Sequence, residues 1–295
     1  MSILSSVYSI FSITCVTIVT IGNLSCTNTT VEEPIENTPS TTPSTEKVLR
    51  FGIVPQQSPT DIKTSWGPLA SYIEENSDFT VHIKTASSIP EFEKRCAEGE
   101  YDIAYMNPYH YVVFHEQAGY QAFAKELNKK IVGILVVAKD SPYEKLEDFA
   151  GKEVAFPSPL AFAASLLTRK EFEKRNIAIT PVYVRSHDSV YTNVAQGLYP
   201  VGGGVQKTLN LMESEIKDTL RIVWKTEPYT SHAIAASSKL DAHAQTISEL
   251  QNILEGINAL NNKSDILNPI GFQGFEKASD TNWNDIRELQ LQTLQ

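Results

Sequence analysis

One local design recurs four times in this chain: an apolar strand stops, a Ser, Asn or Pro follows, and a helix begins at once. The junctions lie at Gln56–Pro59, Asn107–Tyr109, Ser158–Leu160 and Ser186–Ser189. At the first of them Ser58 suits an N-cap, with Pro59 at the first helical position and Asp61 three residues on. Strands alternating with helices require crossover connections, so the pattern points to an α/β architecture with parallel-rich sheets. In open sheets of this kind, ligands bind beyond the carboxyl ends of the strands. Each helix start also offers unpaired N–H donors and a partial positive charge. Arranged as two lobes, two junctions face the other two across a cleft suited to a small oxyanion held by neutral donors.

Taken in order, Val48–Val54 reads as a strand, and Ile62, Trp66, Leu69 and Ile73 then recur at helical spacing. A second strand spans Phe79–Thr85. Ser88 and Glu91 form a capping box for a helix over Pro90–Glu98, with Ile89, Phe92 and Cys96 on its buried face. Asp102–Tyr105 is a short strand that breaks at Asn107-Pro108 and presents the rings of Tyr109, His110 and Tyr111. Lys130–Lys139 reads as one continuous strand buried on both faces, Glu153–Phe156 as another, and Leu160–Arg175 as the helix after it. The strand Ile179–Val184 runs into Ser186-His187-Asp188 and a further helix. Gly202, Gly203 and Gly204 mark a place where the chain turns tightly or approaches something closely. Leu220–Trp224 and His232–Ala236 read as strands, Thr246–Leu260 as a helix, and the tail to Gln295 as helical.

A chain of 295 residues is long enough for two domains of moderate size or one large one. The net charge is −10 and no block of Lys or Arg forms a patch, which argues against nucleic acid and against docking on anionic lipid. Residues 1–25 carry no charged side chain, and the apolar run Ile3–Leu24 ends at Leu24-Ser25-Cys26. That pattern resembles a lipoprotein signal, with Cys26 acylated as the mature N-terminus. The rival is an uncleaved anchor, since about 20 apolar residues just span a bilayer. Either reading places the body in the periplasm or on the outer face of the cell membrane. Residues 26–46, rich in Thr, Pro and Ser, read as a disordered tether reaching about 25 Å. With Cys15 in the signal and Cys26 acylated, Cys96 has no disulfide partner. There is no Walker-type loop, no paired His–Cys metal spacing and no Gly-x-Ser-x-Gly elbow, and His187 and Asp188 are sequence neighbours. The reading is therefore a protein without catalytic residues, metal or cofactor.

Taken together and in order, LRFGIVPQQSP, Trp66, YDIAYMNPYHYV, LEDFAGKEVAFPSP, SHDSVY and GGGVQ resemble the phosphate/phosphite/phosphonate (PhnD-like) substrate-binding proteins of ABC importers. The resemblance covers roughly Leu49–Phe275. It implies a type II periplasmic-binding-protein (Venus-flytrap) fold: two α/β lobes joined by two crossover strands, near Gly133–Lys139 and His232–Ala236. On that division one lobe is 47–137 plus 233–295 and the other is 138–232. It also implies ligand contacts at Gln56, Gln57, Tyr105, Tyr109, His187 and Asp188, and the strand–helix junctions with the residues after them add Asn107, Ser158, Ala161, Phe162, Ala163 and Gln206 to the candidate ligand site. The expected partners are a small oxyanion and an ABC permease or membrane sensor, with the protein itself a monomer held to the membrane through the lipid read at Cys26.

Two positions depart from the family pattern. Where phosphonate binders carry a hydroxyl-rich run after the proline, this chain has Leu160-Ala161-Phe162-Ala163-Ala164-Ser165. The backbone amides remain, but two or three charge-assisted hydrogen bonds worth about 1.5–3 kcal/mol each are lost to a phosphonate dianion. Gln206 stands where binders of amino-phosphonates favour an acidic group. A less charged or partly apolar solute, and a ligand sensor on the same fold feeding a membrane kinase, therefore stay open beside the importer reading.

Overall fold

The structure, a computed structural model, describes residues 47–240 and 243–291. The expected signal, the Cys26 lipidation site and the 26–46 tether lie outside the described residues.

Strand β1 (Lys47–Ile53) opens the first lobe and leads through the Ser58 cap into α1 (Pro59–Glu75). Ser58 Oγ accepts the Asp61 N–H, and Ile62, Trp66, Leu69, Ala70 and Ile73 form the buried face of α1. Then come β2 (Phe79–Lys84), α2 (Ile89–Glu98), β3 (Ile103–Met106) and α3 (Pro108–Ala118). Ser88 caps α2 by accepting the Glu91 N–H, and Asn107 caps α3 by accepting the His110 N–H. Such caps satisfy donors that helix starts leave orphaned, at about 1 kcal/mol each. Gly119 stops α3 in the left-handed region, φ 70°, and lets the chain turn straight into β4 (Gln121–Glu126).

The chain then leaves this lobe through β5 (Lys130–Ile131) and enters the second with β6 (Gly133–Ala138). There follow β7 (Glu153–Phe156), α4 (Leu167–Lys174), β8 (Thr180–Tyr183), α5 (His187–Ala195), β9 (Gly202–Val205), α6 (Gln206–Asn210), α7 (Ser214–Lys217) and β10 (Leu220–Lys225). The return runs through β11 (Tyr229–Thr230) into β12 (Ala233–Ala236) of the first lobe. That lobe is completed by α8 (His243–Gly256), α9 (Lys263–Leu267), β13 (Phe275–Lys277) and α10 (Asn284–Arg287).

The first lobe's sheet has the order β13-β4-β12-β3-β1-β2, parallel at β2-β1-β3 and antiparallel beyond. The second lobe's sheet runs β10-β6-β9-β7-β8, and its strands β9, β7 and β8 are parallel. A separate antiparallel pair, β5 with β11, joins the two connecting segments. This is the two-lobed type II architecture.

Lys130–Lys139 is not one strand: the pairing breaks at Val132, and β6 belongs to the five-stranded sheet. The lobe boundary expected after residue 137 therefore moves back to Val132, and the crossing itself is made by β5 and β11. Leu160–Arg175 is not one helix from Ser158. A wide turn, Phe162–Leu166, precedes α4, with the Leu166 N–H donating to the Ala161 carbonyl at 3.2 Å. Ser158 does not cap it; its buried Oγ has no hydrogen-bond partner among the described residues. The tail is not wholly helical, because Phe275–Lys277 adds the edge strand β13.

The core follows these layers. In the second lobe, Leu135, Val137, Phe149, Phe156 and Phe172 pack on one face of the sheet, with Ile134, Val136, Val190, Tyr191 and Val194 on the other. The first lobe's core is continuous with Ala161–Ala164 and Leu167, so the wide turn of the second lobe is inserted into the apolar interior of the first.

Candidate functional site

The four strand–helix junctions meet where the sheets' carboxyl ends face each other. The Gln56 carbonyl accepts the His187 N–H at 3.3 Å, and the Asn107 side-chain amide donates to the Leu160 carbonyl at 3.2 Å. Both bonds run between the lobes. Between them lies a void of about 10 Å³, lined by Gln56, Asn107, Ala161–Ala164, His187 and His232 among others. A single water takes about 10–15 Å³ on this measure, so a tetrahedral oxyanion does not fit the void as it stands.

Behind the wide turn that lines the void, backbone meets glycine. A Cβ on Gly133 would fall on the Ala163 carbonyl, and one on Gly203 on the Ala164 carbonyl. The wide turn thus packs directly against β6 and β9 through positions that tolerate no side chain. The Gly202–Gly204 run is a strand under close approach, not a turn.

Beside the void opens a chamber of about 230 Å³, with Gln56, Ile131, Val205 and His232 common to the walls of both. Its walls come from the first lobe (Tyr105, Glu126), from the connecting segments (Lys129–Val132, Ser231) and from the second lobe (Gln206, Lys207). Tyr105 stacks on His232, ring centroids 4.8 Å apart and 17° from parallel, and packs on Trp66 at 4.7 Å. The Gln56 side-chain nitrogen lies 3.1 Å from His232 Nε2. Lys207 Nζ donates to Glu126 Oε2 at 3.0 Å across the lobes and sits 3.7 Å from the centroid of the Phe272 ring.

Burial sets the charge states. It lowers the His187 imidazole to about 3. His232 is held well below its usual range by burial first and then by Lys207 and the other histidines. Both rings are neutral near pH 7; His232 Nε2 meets the Gln56 side-chain nitrogen, whereas His187 Nδ1 is buried with no hydrogen-bond partner among the described residues. Burial also lowers the Lys207 ammonium, to about 8, although Glu126 opposes the effect. Burial, with Asp61 as the second cause, raises Asp188 to about 6.

The sequence-derived site residues divide among these spaces. Gln56, Asn107, Ala161, Phe162, Ala163 and His187 surround the void. Gln56, Tyr105 and Gln206 line the chamber, and Gln57 joins Tyr105 and Trp66 around a narrow gap of about 20 Å³. Asp188 instead lines an open surface pocket with Gln57 and Asp61. Tyr109 and Ser158 are buried and are not among the residues lining these cavities. Glu126, Lys207 and Ser231 had no sequence signal. A lone Lys after GGGVQ and a Glu closing a short strand acquire meaning only when the lobes meet.

A family model described as the phosphonate ABC transporter periplasmic substrate-binding protein matches residues 51–283. The phosphate-import protein PhnD of Mycolicibacterium smegmatis is 22% identical over 227 residues, 66% of this chain and 67% of that protein. Among solved structures, a binding-protein component of a phosphonate ABC transporter from Pseudomonas aeruginosa superposes with a TM-score of 0.76 at 18% identity, covering 83% of this chain and 86% of the other. PhnD1 from Prochlorococcus marinus in complex with methylphosphonate gives 0.74 at 16% identity, covering 82% and 97%. At these identities the solved structures establish the shared fold.

Proposed function

Because the chain belongs to the family of periplasmic substrate-binding proteins of phosphonate ABC transporters, we propose that it captures a small oxyanion of the phosphate–phosphonate class between its lobes and delivers it to an ABC permease. The family consists of binding proteins of importers, not enzymes. One observation carries the reading: the 230 Å³ chamber is walled by both lobes and by both connecting segments, so a bound solute would touch every part that moves when the lobes open. In this reading the oxyanion sits in the chamber, against the Lys207 ammonium and the neutral donors Gln56, Gln206, Tyr105 and His232. The helix ends around the smaller void orient the wall behind it. The same proposal has Cys26 lipidated and the protein working as a monomer at the outer face of the membrane.

A second reading, a less charged or partly apolar solute, is favoured by the wide turn. Phe162, Ala163 and Ala164 replace hydroxyls with packed apolar groups, and Phe162 lies edge-on to Tyr229 at 5.7 Å. Calorimetric titration with phosphate, phosphite and methylphosphonate separates the two. Micromolar or tighter binding of one of them, weakened at least tenfold in both Lys207→Ala and Gln56→Ala, is expected. Binding unchanged in both variants overturns the chamber assignment, and no binding of any of the three overturns the oxyanion reading.

A further inference from the structure

The chamber is far larger than a five-atom oxyanion needs, since one water takes about 10–15 Å³ on the same measure and the chamber measures about 230 Å³. Its lining therefore addresses more of the ligand than its anionic end. Two of the wall side chains, Glu126 and Ser231, are each only 4% exposed. Glu126 Oε1 and Ser231 Oγ have no hydrogen-bond partner among the described residues. Buried polar atoms without partners carry a cost that a ligand hydroxyl relieves, because it donates to the carboxylate oxygen and exchanges with the serine hydroxyl. The stacked Tyr105 and His232 rings supply a flat face for the C–H groups of a short carbon chain.

Charge decides which polar tail is accepted. The ionisable wall groups are Lys129, Lys130, Lys207 and Glu126, three cations against one anion, with His232 neutral. Lys207 already satisfies Glu126 Oε2 at 3.0 Å. A ligand ammonium would thus meet a carboxylate whose charge is compensated, with Lys129 and a Lys130 that lies 3.9 Å from Asp285 also in the wall. A neutral hydroxyl meets only acceptors and donors it matches.

We infer that the chamber recognises a hydroxylated, non-cationic tail, making the preferred ligand a hydroxyalkyl phosphonate or a phosphate monoester of a small polyol. This rests on the oxyanion reading of the same chamber. The test is calorimetry of the full chain with methylphosphonate, 2-hydroxyethylphosphonate, 2-aminoethylphosphonate and glycerol phosphate. 2-Hydroxyethylphosphonate is expected to bind at least tenfold tighter than methylphosphonate, and 2-aminoethylphosphonate more weakly than its hydroxyl counterpart. Glu126→Met should bring the hydroxyethyl-to-methyl preference to within threefold. Ser231→Ala, which leaves the ion pair intact and so guards against misfolding, should reduce the preference at least threefold. Binding of methylphosphonate without any preference among tails, or tighter binding of the amino compound, overturns this inference alone. Failure of all four probes to bind overturns the oxyanion reading beneath it.

Discussion

Substituting Gly203 by Ala tests how the wide turn is held. The added Cβ would fall on the Ala164 carbonyl oxygen and lie 2.5 and 2.6 Å from two ring carbons of Phe156. Ordinary Cβ contacts begin at 3.4 Å, so the neighbours must retreat by nearly 1 Å. Phe156 is fully buried and the other obstacle is backbone, so neither has an easy escape. Overpacking of this kind costs about 1–3 kcal/mol, against a gain of about 0.4–1 kcal/mol from the stiffer unfolded chain. The net loss of about 1–2 kcal/mol lowers Tm by roughly 2–8 °C in a domain of this size. Because the displaced carbonyl belongs to Ala164, the same change moves the turn that walls the void, and ligand affinity should fall at least tenfold. Gly67 is the matched control: it lies within α1 with nothing within 4 Å of a built Cβ. Gly67→Ala should raise stability by about 0.5–1 kcal/mol and leave affinity alone. Thermal unfolding and calorimetry of the two variants side by side decide the matter. A Gly203→Ala protein as stable and as tight-binding as the parent would refute the close-approach argument.

Three further outcomes are expected. Lys207→Met strands Glu126 in a site where it is nearly inaccessible, so the single variant should lose about 3 kcal/mol in denaturant unfolding, while Lys207→Met with Glu126→Met should recover most of it. Asp188, on the second lobe, accepts the Ser58 N–H and faces Asp61, both of the first, and its carboxyl is raised from 3.8 to about 6. A raised acid favours its protonated form, so the penalty on closure is absent below about 4, grows between about 4 and 6, and is complete above; affinity measured across that window should fall with rising pH, and Asp188→Asn should flatten the profile. Cys96 is fully buried and burial raises its thiol well above the usual range, so mass spectrometry should find its peptide alkylated only after denaturant is added.

What the sequence made legible was local. Ser58, Ser88, Asn107 and Ser186 act as caps in the structure because a short polar side chain before a helix has one dominant use, and proline at N1 or N2 reinforces it in the first three. What it concealed was tertiary. KIVGILVVAK looks like a single buried strand, yet the chain changes sheets at Val132, and no apolar pattern records which sheet a residue joins. β4 carries no strand pattern, because QAFAKE is short and does not alternate: as an inner strand between β13 and β12 it is buried on both faces. The wide turn at Phe162–Leu166 looks like ordinary helix, because its i→i+5 bonding depends on the fit of Ala163 and Ala164 against Gly133 and Gly203, some 30 and 40 residues away. Six of the anticipated site residues surround the void, because each lies at a strand–helix junction. Lys207 and Glu126, 81 residues apart, were invisible for the opposite reason.

These contacts also bear on how the lobes open. A ligand shifts a two-state equilibrium only by its differential affinity for the two states, and driving it from 1:99 to 99:1 takes about 5.5 kcal/mol. Here the lobes already hold each other through His187 to Gln56, Asn107 to Leu160 and Lys207 to Glu126. At about 0.5–1.5 kcal/mol for each neutral bond and 1.5–3 for the charged one, the bonds supply about 2.5–6 kcal/mol. Insertion of Ala161–Ala164 into the first lobe's core adds to this. Against it stands the Asp188–Asp61 repulsion. The balance favours a chain that is largely closed before the ligand arrives, so small-angle scattering should show a radius of gyration nearly unchanged by saturating ligand at pH 5. Asn107→Ala combined with Lys207→Met should expand the unliganded protein and restore a contraction on binding. A parent protein that contracts strongly on ligand addition would show instead that the bound solute, and not the wall-to-wall bonding, supplies the energy of closure.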